Sequence, residues 1–473
     1  MAVQTEQRPE LPYISREVKN MRLDKLYANA VIVSAEGRNR GCLGVKKGKV
    51  AVIAGPDAGI DADEVIDCEG KYMLPGFIDA HIHPYDPGPN YREDFEHLTA
   101  SMAAGGITTG CMMPFQDPVI SDIETYEFTK QYYQGKAYVD YGIHGGAIAT
   151  NVDKADRLWR ETGATAMKAF MCFSTDDCPF LEDDTFYAHL QILAQNGGLA
   201  MIHCENDGII RLREGQLKAE GKKDGRAYNA SHPDYAEIEA IQRAILFLRQ
   251  TGAAAVIVHV STAEGIRLIH EAQEQGVKVW AETCPHYLTF TVDDMDTLGP
   301  ALKFSPPMHE EANRQELWRL VKKGYVSMIS SDHCPFSSEE KFADMDDIWK
   351  TPNGIPGVQA IAPVLLNGVN EGRLSLEQVV GLTSLNASRL YGLYPKKGRL
   401  QPGSDADFVL VDMELEKEFC EEDNKSKCPW SPYYGRTFKG WPVMTVCRGE
   451  IVFQNGEIVG KQGFGEYIAR PKG

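Results

Sequence analysis

Short apolar runs alternate with longer amphipathic stretches through the middle of the chain. The apolar runs include GITTGCMM, YVDYGIHGGA, ATAMKAFMCF, LAMIHCEN, AAVIVHVST, KVWAETCPHY and YVSMISSDH. Such alternation is typical of parallel strands joined by crossover helices. Nearly every run ends in His, Lys or Asp, and polar chemistry at the carboxyl ends of the strands is typical of a (β/α)8 barrel. We therefore predict a barrel of this kind.

The two ends of the chain show a different pattern. LYANAVIVSAEG, GVKKGKVAVIAG and ADEVIDCEG are brief runs ended by glycine, and similar runs return in DADFVLVDME and VMTVCRGEIVFQNGEI, where Asn455-Gly456 predicts a tight turn. We predict an α/β protein in which a TIM barrel at 74–397 carries a small β-sandwich domain assembled from 21–73 and 398–473. A polar N-terminal extension at 1–20 precedes both.

Composition and charge exclude several classes of partner. The formal net charge of −18 leaves no basic stripe for nucleic-acid phosphates. No apolar run reaches membrane-spanning length, and the first residues lack the apolar core of a secretory signal. The 11 cysteines are scattered and odd in number, unlike a disulfide framework. We expect a cytoplasmic protein without nucleic-acid or membrane partners.

Four histidines follow buried-looking strands. His81 and His83 stand in GFIDAHIHPYDPG, and in a strand residues i and i+2 project from the same face. His203 ends LAMIH and His259 ends AAVIVH. A lone histidine after a strand is more often a core or capping residue than a ligand, but four at successive strand ends converge on one barrel mouth. This grouping indicates a metal site.

Two further residues extend this cluster. Asp332 in VSMISSDHCPF could cap a helix, or it could ligate a metal and accept a proton near neutral pH. Lys168 in GATAMKAFMCF is costly to bury unless a carboxylate pairs with it. A lysine with a pKa of about 10 cannot ligate a cation. A deprotonated amine can instead capture carbon dioxide, and the resulting carbamate offers two oxygens for bridging two ions.

The order of HxH, Lys, His, His and Asp resembles the amidohydrolase superfamily. Within it the chain is most similar to the cyclic-amide branch of allantoinases, hydantoinases (dihydropyrimidinases) and dihydroorotases, and closest to allantoinases. The motifs LPGFIDAHIH, AAGGITT, HCEN, HVST, ETCPHYL, SPP, SDHCPF, NASRLYGL and GRLQPGSDADFVLVD carry the resemblance over nearly the whole chain.

This resemblance implies a binuclear metal centre. One divalent ion would be held by His81, His83 and Asp332, a second by His203 and His259, and carbamylated Lys168 would bridge them. Zinc is the usual occupant, while manganese, cobalt and nickel suit the same nitrogen and oxygen donors.

The resemblance also implies a reaction and an assembly. A metal-bridging hydroxide would attack a ring carbonyl, and Asp332 would move its proton to the departing nitrogen, which leaves an open-chain N-carbamoyl acid. Ser305 in FSPP and Asn353 in PNGIPG match substrate-binding positions, although turn chemistry beside proline and glycine explains them equally. Family members are homotetramers or homodimers.

Departures from the subfamily patterns bear on the substrate. Tyr85 stands where dihydroorotases have an arginine that grips a carboxylate, and Phe173 stands where hydantoinases have an oxyanion-stabilising tyrosine. Gln116 and His232 replace the asparagine and arginine usual in allantoinases. We predict a neutral cyclic amide or ureide, with allantoin first and hydantoins or dihydropyrimidines as the alternative.

Other functions within the superfamily are less favoured. A non-catalytic scaffold, as in the collapsin response mediator proteins, would have lost ligand positions that are all filled here. Deaminases usually lack the bridging lysine. Beside the ligand positions, His286 and His333 either orient ligands or belong to the core, and Cys204 and Cys334 are expected to pack away from the site because the next residue on a strand faces the other way.

Overall fold

The computed structural model describes residues 22–56, 58–173 and 180–471, so the predicted N-terminal extension at 1–20 lies outside the described residues. Strands are numbered along the chain. The first five are β1 (Leu23–Ser34), β2 (Gly37–Lys46), β3 (Lys49–Ala54), β4 (Ala62–Asp67) and β5 (Tyr72–Pro75). The barrel region contains β6 (Phe77–Ile82), β7 (Ile107–Met112), β8 (Asp140–Ile143), β9 (Gly145–Gly146), β10 (Met167–Phe170), β11 (Leu199–His203), β12 (Ala254–Ile257), β13 (Val279–Thr283) and β14 (Met328–Ile329). The last four are β15 (Phe408–Glu418), β16 (Thr437–Cys447), β17 (Glu450–Gln454) and β18 (Glu457–Ile458).

The two ends of the chain form one sheet, as predicted. Its strand order is β18-β17-β16-β15-β5-β1-β2-β3, and β4 pairs with β1. The antiparallel pairing of β15 with β5, in which Phe408 lies opposite Pro75, joins the carboxyl-terminal strands to the amino-terminal ones. The predicted tight turn between β17 and β18 is present, with φ of 50° at Asn455 and 89° at Gly456, the left-handed values that a primed hairpin turn requires.

This sheet folds over its own core. Leu43 of β2 and Met444 of β16 come from distant positions in the strand order, yet they belong to the same buried cluster together with Tyr27 and Phe408. The Tyr27 hydroxyl also donates to the carbonyl of Gly449, 3.2 Å away, across this core. A β-rich domain built from both ends of the chain is therefore confirmed, while its boundaries at 21–73 and 398–473 stay predictions.

The strands β6 to β14 close into the predicted barrel. Parallel pairings join β6, β7 and β8 in one sheet and β9 through β14 in another. The N–H of Thr165, two residues before β10, donates to the carbonyl of Ile143 in β8 at 3.0 Å and so links the two sheets. On the opposite side, Ile82 forms a bridge with His333, and the N–H of His83 donates to the His333 carbonyl at 2.8 Å. The first and last strands of the barrel therefore meet.

Helices cover the outside of the barrel and line its mouth. They are α1 (Phe95–Ala104), α2 (Ile123–Tyr133), α3 (Val152–Glu161), α4 (Asp183–Gln195), α5 (Asp207–Ala219), α6 (Gly225–Ser231), α7 (Asp234–Thr251), α8 (Ala263–Glu274), α9 (Pro285–Thr289), α10 (Met295–Leu298), α11 (Glu311–Lys322), α12 (Ser338–Lys341), α13 (Ile361–Asn370), α14 (Leu376–Val380) and α15 (Asn386–Leu390). A π-helical turn spans Gly381–Leu385, and 3-10 turns span Val292–Asp294, Gly299–Leu302, Ile348–Lys350, Val358–Ala360 and Glu421–Asp423. None of the helices among the described residues has both the length and the apolarity to cross a bilayer.

A buried charge cluster joins the barrel to the β-rich domain. The Lys397 ammonium lies 2.5 Å from the Asp140 carboxylate at the start of β8, 2.5 Å from Asp407 and 2.9 Å from Asp405. Although burial alone lowers it, these three carboxylates hold the pKa of Lys397 well above its usual range. Breaking a buried ion pair from one side leaves the other charge without compensation, which is strongly destabilising.

Replacement of Lys397 should therefore destabilise the protein. We expect Lys397→Met to lower the free energy of unfolding by about 3–5 kcal/mol, because three buried carboxylates lose their shared cation. The urea midpoint would measure this loss. The control Lys396→Met removes a lysine that is 43% exposed and 3.9 Å from Asp405, and it should cost less than about 1 kcal/mol. Equal midpoints for both variants would contradict the assignment.

Candidate active site

A single cavity of about 580 Å³ opens where the barrel strands end. Seven of the eight predicted site residues line it: His83, Lys168, His203, His259, Ser305, Asp332 and Asn353. The eighth, His81, is fully buried, and its Nε2 lies 3.2 Å from Asp332 Oδ1. The structure therefore brings all eight residues to one place, while their roles as metal ligands and substrate contacts stay predictions.

The ends of the strands place these side chains. His81 is the penultimate residue of β6, and His203 is the last residue of β11. His259 and Asp332 follow β12 and β14 by two and three residues, with φ of 39° and 49°. Left-handed backbone is uncommon for residues other than glycine, and such conformations concentrate at functional sites, where the surrounding structure enforces them.

One group of donors converges around Asp332. Ligand atoms of His81, His259 and Asp332 all lie within 4.8 Å of one another. The Nε2 of His83 is 3.4 Å from the same Asp332 oxygen that faces His81. Atoms bound about 2 Å from a common ion lie roughly 3–3.5 Å apart, so the distances of 3.2 and 3.4 Å from His81 and His83 to Asp332 fit one divalent cation, which His259 borders.

A second pair of donors lies beside the first. The Nδ1 of His203 faces the Nε2 of His259 at 2.9 Å. Lys168 is completely buried, and its Nζ lies 3.4 Å from the Nε2 of His81. A lysine at this point borders the first group of donors, which is where a bridging carbamate is predicted.

Two buried glutamates fix the orientation of these imidazoles. Glu282 Oε1 lies 2.7 Å from Nδ1 of His81, and Glu205 Oε2 lies 2.8 Å from Nε2 of His203. A carboxylate at one ring nitrogen holds the proton there and leaves the lone pair of the other nitrogen for a ligand role. In both histidines the nitrogen left over faces the predicted metal cluster.

Sequence reasoning missed both glutamates. Glu282 is an acid within the apolar run KVWAETC, and Glu205 stands two residues after His203. Each position could have been noticed in the sequence, because an acid within or just after a buried apolar run needs a partner. The identity of the partner became visible only in the structure.

Burial favours the neutral form of three of these histidines. It lowers the pKa of His203, and it lowers the pKa of His81 and of His259 well below the ordinary value. The Lys168 ammonium adds to the effect at His81. Metal binding needs neutral imidazole, so four histidines with a carboxylate and a modifiable lysine form a donor set that fits two divalent ions.

The residues beside the ligand positions have different roles. His286 packs between the rings of Tyr287 and Phe304, and neither of its ring nitrogens has a hydrogen-bond partner among the residues described. His333 accepts a hydrogen bond from the Gly357 N–H at 3.1 Å and lies 3.3 Å from Glu93. None of these ring nitrogens orients a predicted metal ligand. Both histidines therefore belong to the structure that surrounds the site.

One cysteine expectation is wrong. Cys204 is buried, as expected, but Cys334 lines the cavity, with its Sγ 3.0 Å from the Tyr85 hydroxyl. The expectation rested on strand alternation. Cys334 is two residues from Asp332 and not next to it, so alternation itself would place both on one face, and β14 has already ended at Ile329.

Comparisons with known proteins agree with the geometry of the site. The family model described as the amidohydrolase family matches residues 72–452. The chain belongs to the amidohydrolase family. This amidohydrolase is similar to an L-hydantoinase of Paenarthrobacter aurescens, with 35% identity over 94% of this chain and 98% of the relative. It is also similar to an allantoinase of Deinococcus radiodurans, with 36% identity over 93% and 97% of the two chains.

Solved structures agree on the fold. The L-hydantoinase (dihydropyrimidinase) from Arthrobacter aurescens superposes with a TM-score of 0.93 and 35% identity over 95% of this chain and 100% of that chain. A dihydropyrimidinase from Brevibacillus agri gives a TM-score of 0.88 and 31% identity over 95% and 99%. The amidohydrolase thus has the TIM-barrel architecture of the hydantoinases, and it lies in the cyclic-amide branch of its family.

Loss of the glutamate behind His81 should weaken metal binding. We expect Glu282→Gln to lower metal affinity about 10- to 100-fold, because the amide no longer fixes the proton on Nδ1 of His81. Metal content after dialysis against a graded chelator series would measure the change. The control Glu237→Gln alters another buried glutamate, which accepts from Ser261 and Thr262, and it should retain metal. Equal retention by both variants would contradict the role of Glu282.

Proposed function

We propose that this amidohydrolase hydrolyses the ring amide of a neutral cyclic ureide, with allantoin as the first candidate. Water adds its hydroxyl to the ring carbonyl carbon, the carbon–nitrogen bond breaks, and the nitrogen takes the proton, which leaves an open-chain N-carbamoyl acid. The observation that carries the proposal is the meeting of four histidines, Lys168 and Asp332 at one cavity. Relatives named as allantoinase and hydantoinase support it.

The donor set suggests how two metal ions would be held. His81, His83 and Asp332 would hold one ion and His203 and His259 the other, with carbamylated Lys168 between them. Two divalent ions, zinc before manganese, cobalt or nickel, would polarise the carbonyl and supply a nucleophilic water at neutral pH. The six named side chains supply nitrogen and oxygen donors, which is the chemistry those ions accept.

Asp332 is the proposed proton carrier. Its side chain is 13% exposed and lines the cavity, whereas His81 behind it is completely buried. A carboxylate at this point can take a proton from the attacking water and deliver it to the departing ring nitrogen. Ser305 and Asn353, on the same cavity wall, are the proposed contacts to the ring amide.

The charges in the cavity wall favour a neutral substrate. Arg92 forms a two-point ion pair with Glu340, with the closest contact at 2.6 Å. Arg211 pairs with Asp207 at 2.6 Å, and the Lys303 ammonium donates to backbone carbonyls. The side chains of Arg92, Arg211 and Lys303, which line the described cavity, therefore already have polar partners, and Lys168 has the predicted bridging role. A substrate carboxylate would have to displace one of these partners.

A hydantoinase is the second candidate. Aromatic side chains line much of the cavity, including Phe115, Phe170, Phe336 and Trp349. Such a wall suits an apolar substituent on a hydantoin ring better than the polar ureido group of allantoin. Phe173 also lines the cavity with its side chain 55% exposed, and it offers no hydroxyl to an oxyanion.

The predicted homotetramer or homodimer stays a prediction.

A substrate panel tests the proposal. The protein, loaded with metal and bicarbonate, would be assayed against allantoin, hydantoin, phenylhydantoin, dihydrouracil and dihydroorotate. We expect preferred turnover of allantoin and the poorest turnover of dihydroorotate, because no free cation awaits its carboxylate in the described wall. Preference for phenylhydantoin would support the second candidate. No turnover by protein shown to hold two metal equivalents would contradict the proposed function.

Asp332 should control the proton transfer. We expect Asp332→Asn to lower kcat on the preferred substrate by about 10²- to 10⁴-fold, because an amide cannot shuttle the proton. Metal content must be measured alongside, since the same substitution removes a proposed ligand. Asp344→Asn, on a side chain that is 45% exposed, is the matched control and should behave as wild type. A near-normal kcat for the Asp332 variant would exclude this role.

A further inference from the structure

A completely buried lysine stands behind the cavity wall. The Nζ of Lys341, the last residue of α12, donates to the carbonyls of Lys303 at 2.8 Å, Pro352 at 2.9 Å and Gly354 at 2.8 Å. An ammonium has three N–H donors, and Lys341 directs all three at backbone carbonyls. The side chain therefore connects three points of the main chain that are up to 51 residues apart in sequence (354 minus 303).

Lys303 extends the same arrangement. Its Nζ donates to the carbonyls of Ile348 at 2.7 Å and Thr351 at 2.6 Å. Neither ammonium forms an ion pair with a carboxylate among the residues described. Burial lowers the pKa of Lys303 to about 8 and that of Lys341 well below its ordinary value, and the nearby Lys303 adds to the effect at Lys341. Two such cations are costly to bury, so their contacts call for a specific role.

The carbonyls they bind belong to the segment that forms one wall of the cavity. We refer to residues 348–354 as the wall segment, and Trp349, Thr351, Pro352, Asn353 and Gly354 of it line the cavity. After the 3-10 turn Ile348–Lys350 the wall segment has no helix or strand to pair its carbonyls. Buried carbonyls need donors, and the two lysines provide them.

The wall segment is also held against the proposed catalytic residues. The Gly354 N–H donates to the Lys303 carbonyl at 3.0 Å, two residues before Ser305. Gly354 has φ of 141°, and a Cβ there would lie 2.3 Å from the carbonyl oxygen of Cys334, two residues after Asp332. Asn353 thus sits between the Ser305 loop and the Asp332 loop, and its position depends on both.

We propose that Lys341 is a positioning residue for substrate binding, whose ammonium fixes Asn353 of the wall segment relative to Ser305. The proposal rests on the function proposed above, because those two residues are its substrate contacts. The three carbonyls surround Nζ from different parts of the chain, an arrangement that suits the compact ammonium of lysine and not the planar fork of arginine.

The test compares two lysine-to-methionine variants of nearby residues. Lys341→Met keeps the length of the side chain but removes all three donors. Lys350→Met makes the same change inside the wall segment, on a side chain that is 60% exposed and paired with Asp344 at 3.2 Å. For Lys341→Met we expect KM to rise about tenfold or more, with a smaller fall in kcat, because a displaced contact costs binding while the predicted metal ligands stay in place. Lys350→Met should keep wild-type KM.

A second readout does not depend on turnover. Hydrogen–deuterium exchange should accelerate over 342–354 in Lys341→Met, and it should be unchanged over β10 and β11 and in the control. Metal content should equal that of wild type. A folded Lys341→Met protein with wild-type KM and wild-type exchange over 342–354 would overturn the proposal, and so would a lower melting temperature with KM unchanged, which is the result of a purely structural lysine.

Two further arms keep the outcomes distinct. If Lys341→Met does not fold, Lys303→Met removes two other contacts to the wall segment, those to the Ile348 and Thr351 carbonyls, and it must raise KM in the same direction for the proposal to stand. If wild type turns over none of the panel, the proposed function fails by itself. The exchange measurement then still decides whether Lys341 holds the wall segment, and wild-type exchange in the variant would overturn that contact as well.

Discussion

The candidate site depends on the seam where the barrel closes. The His83 N–H donates to the carbonyl of His333, and Ile82 bridges to the same residue, so the first barrel strand meets the segment after the last one. This contact brings the two histidines of the HxH pair to within 3.4 Å of an aspartate about 250 residues later. Without closure the cluster would be divided between two edges of an open sheet.

Closure alone would not produce a usable donor set, because each imidazole has two nitrogens. Glu282 and Glu205 each occupy one nitrogen of a histidine, so that the other is directed toward its neighbours. Glu205 also accepts from the Ser305 hydroxyl at 2.6 Å and faces His232 at 2.8 Å. Although burial acts in the other direction, His232 and His203 hold the pKa of Glu205 well below its usual range. A single anion thus links a predicted metal ligand to a predicted substrate contact.

The sequence predicted the elements whose signals are local. Alternating runs indicated the barrel, and the residue type at each strand end indicated His81, His83, Lys168, His203, His259 and Asp332, because parallel strands bring their carboxyl ends to one mouth. Glu282 and Lys341 escaped for the opposite reason. Glu282 acts on a histidine 201 residues away, and Lys341 acts through carbonyls, which carry no residue identity. Cys334 was misplaced because it was treated as the neighbour of Asp332, whereas it stands two residues away and beyond the end of β14.

The paired charges in the cavity wall affect how substrates can be distinguished. Arg92 and Arg211 are both paired with carboxylates. Discrimination between substrates therefore depends on the shape of the cavity and on hydrogen bonds from side chains that other contacts already hold in place. His232 illustrates this: it stands where allantoinases usually have arginine, and its Nδ1 lies 2.8 Å from Oε1 of Glu205. Allantoin and a substituted hydantoin differ in size and polarity at constant charge, and His232 lines the cavity that either substrate would have to fit.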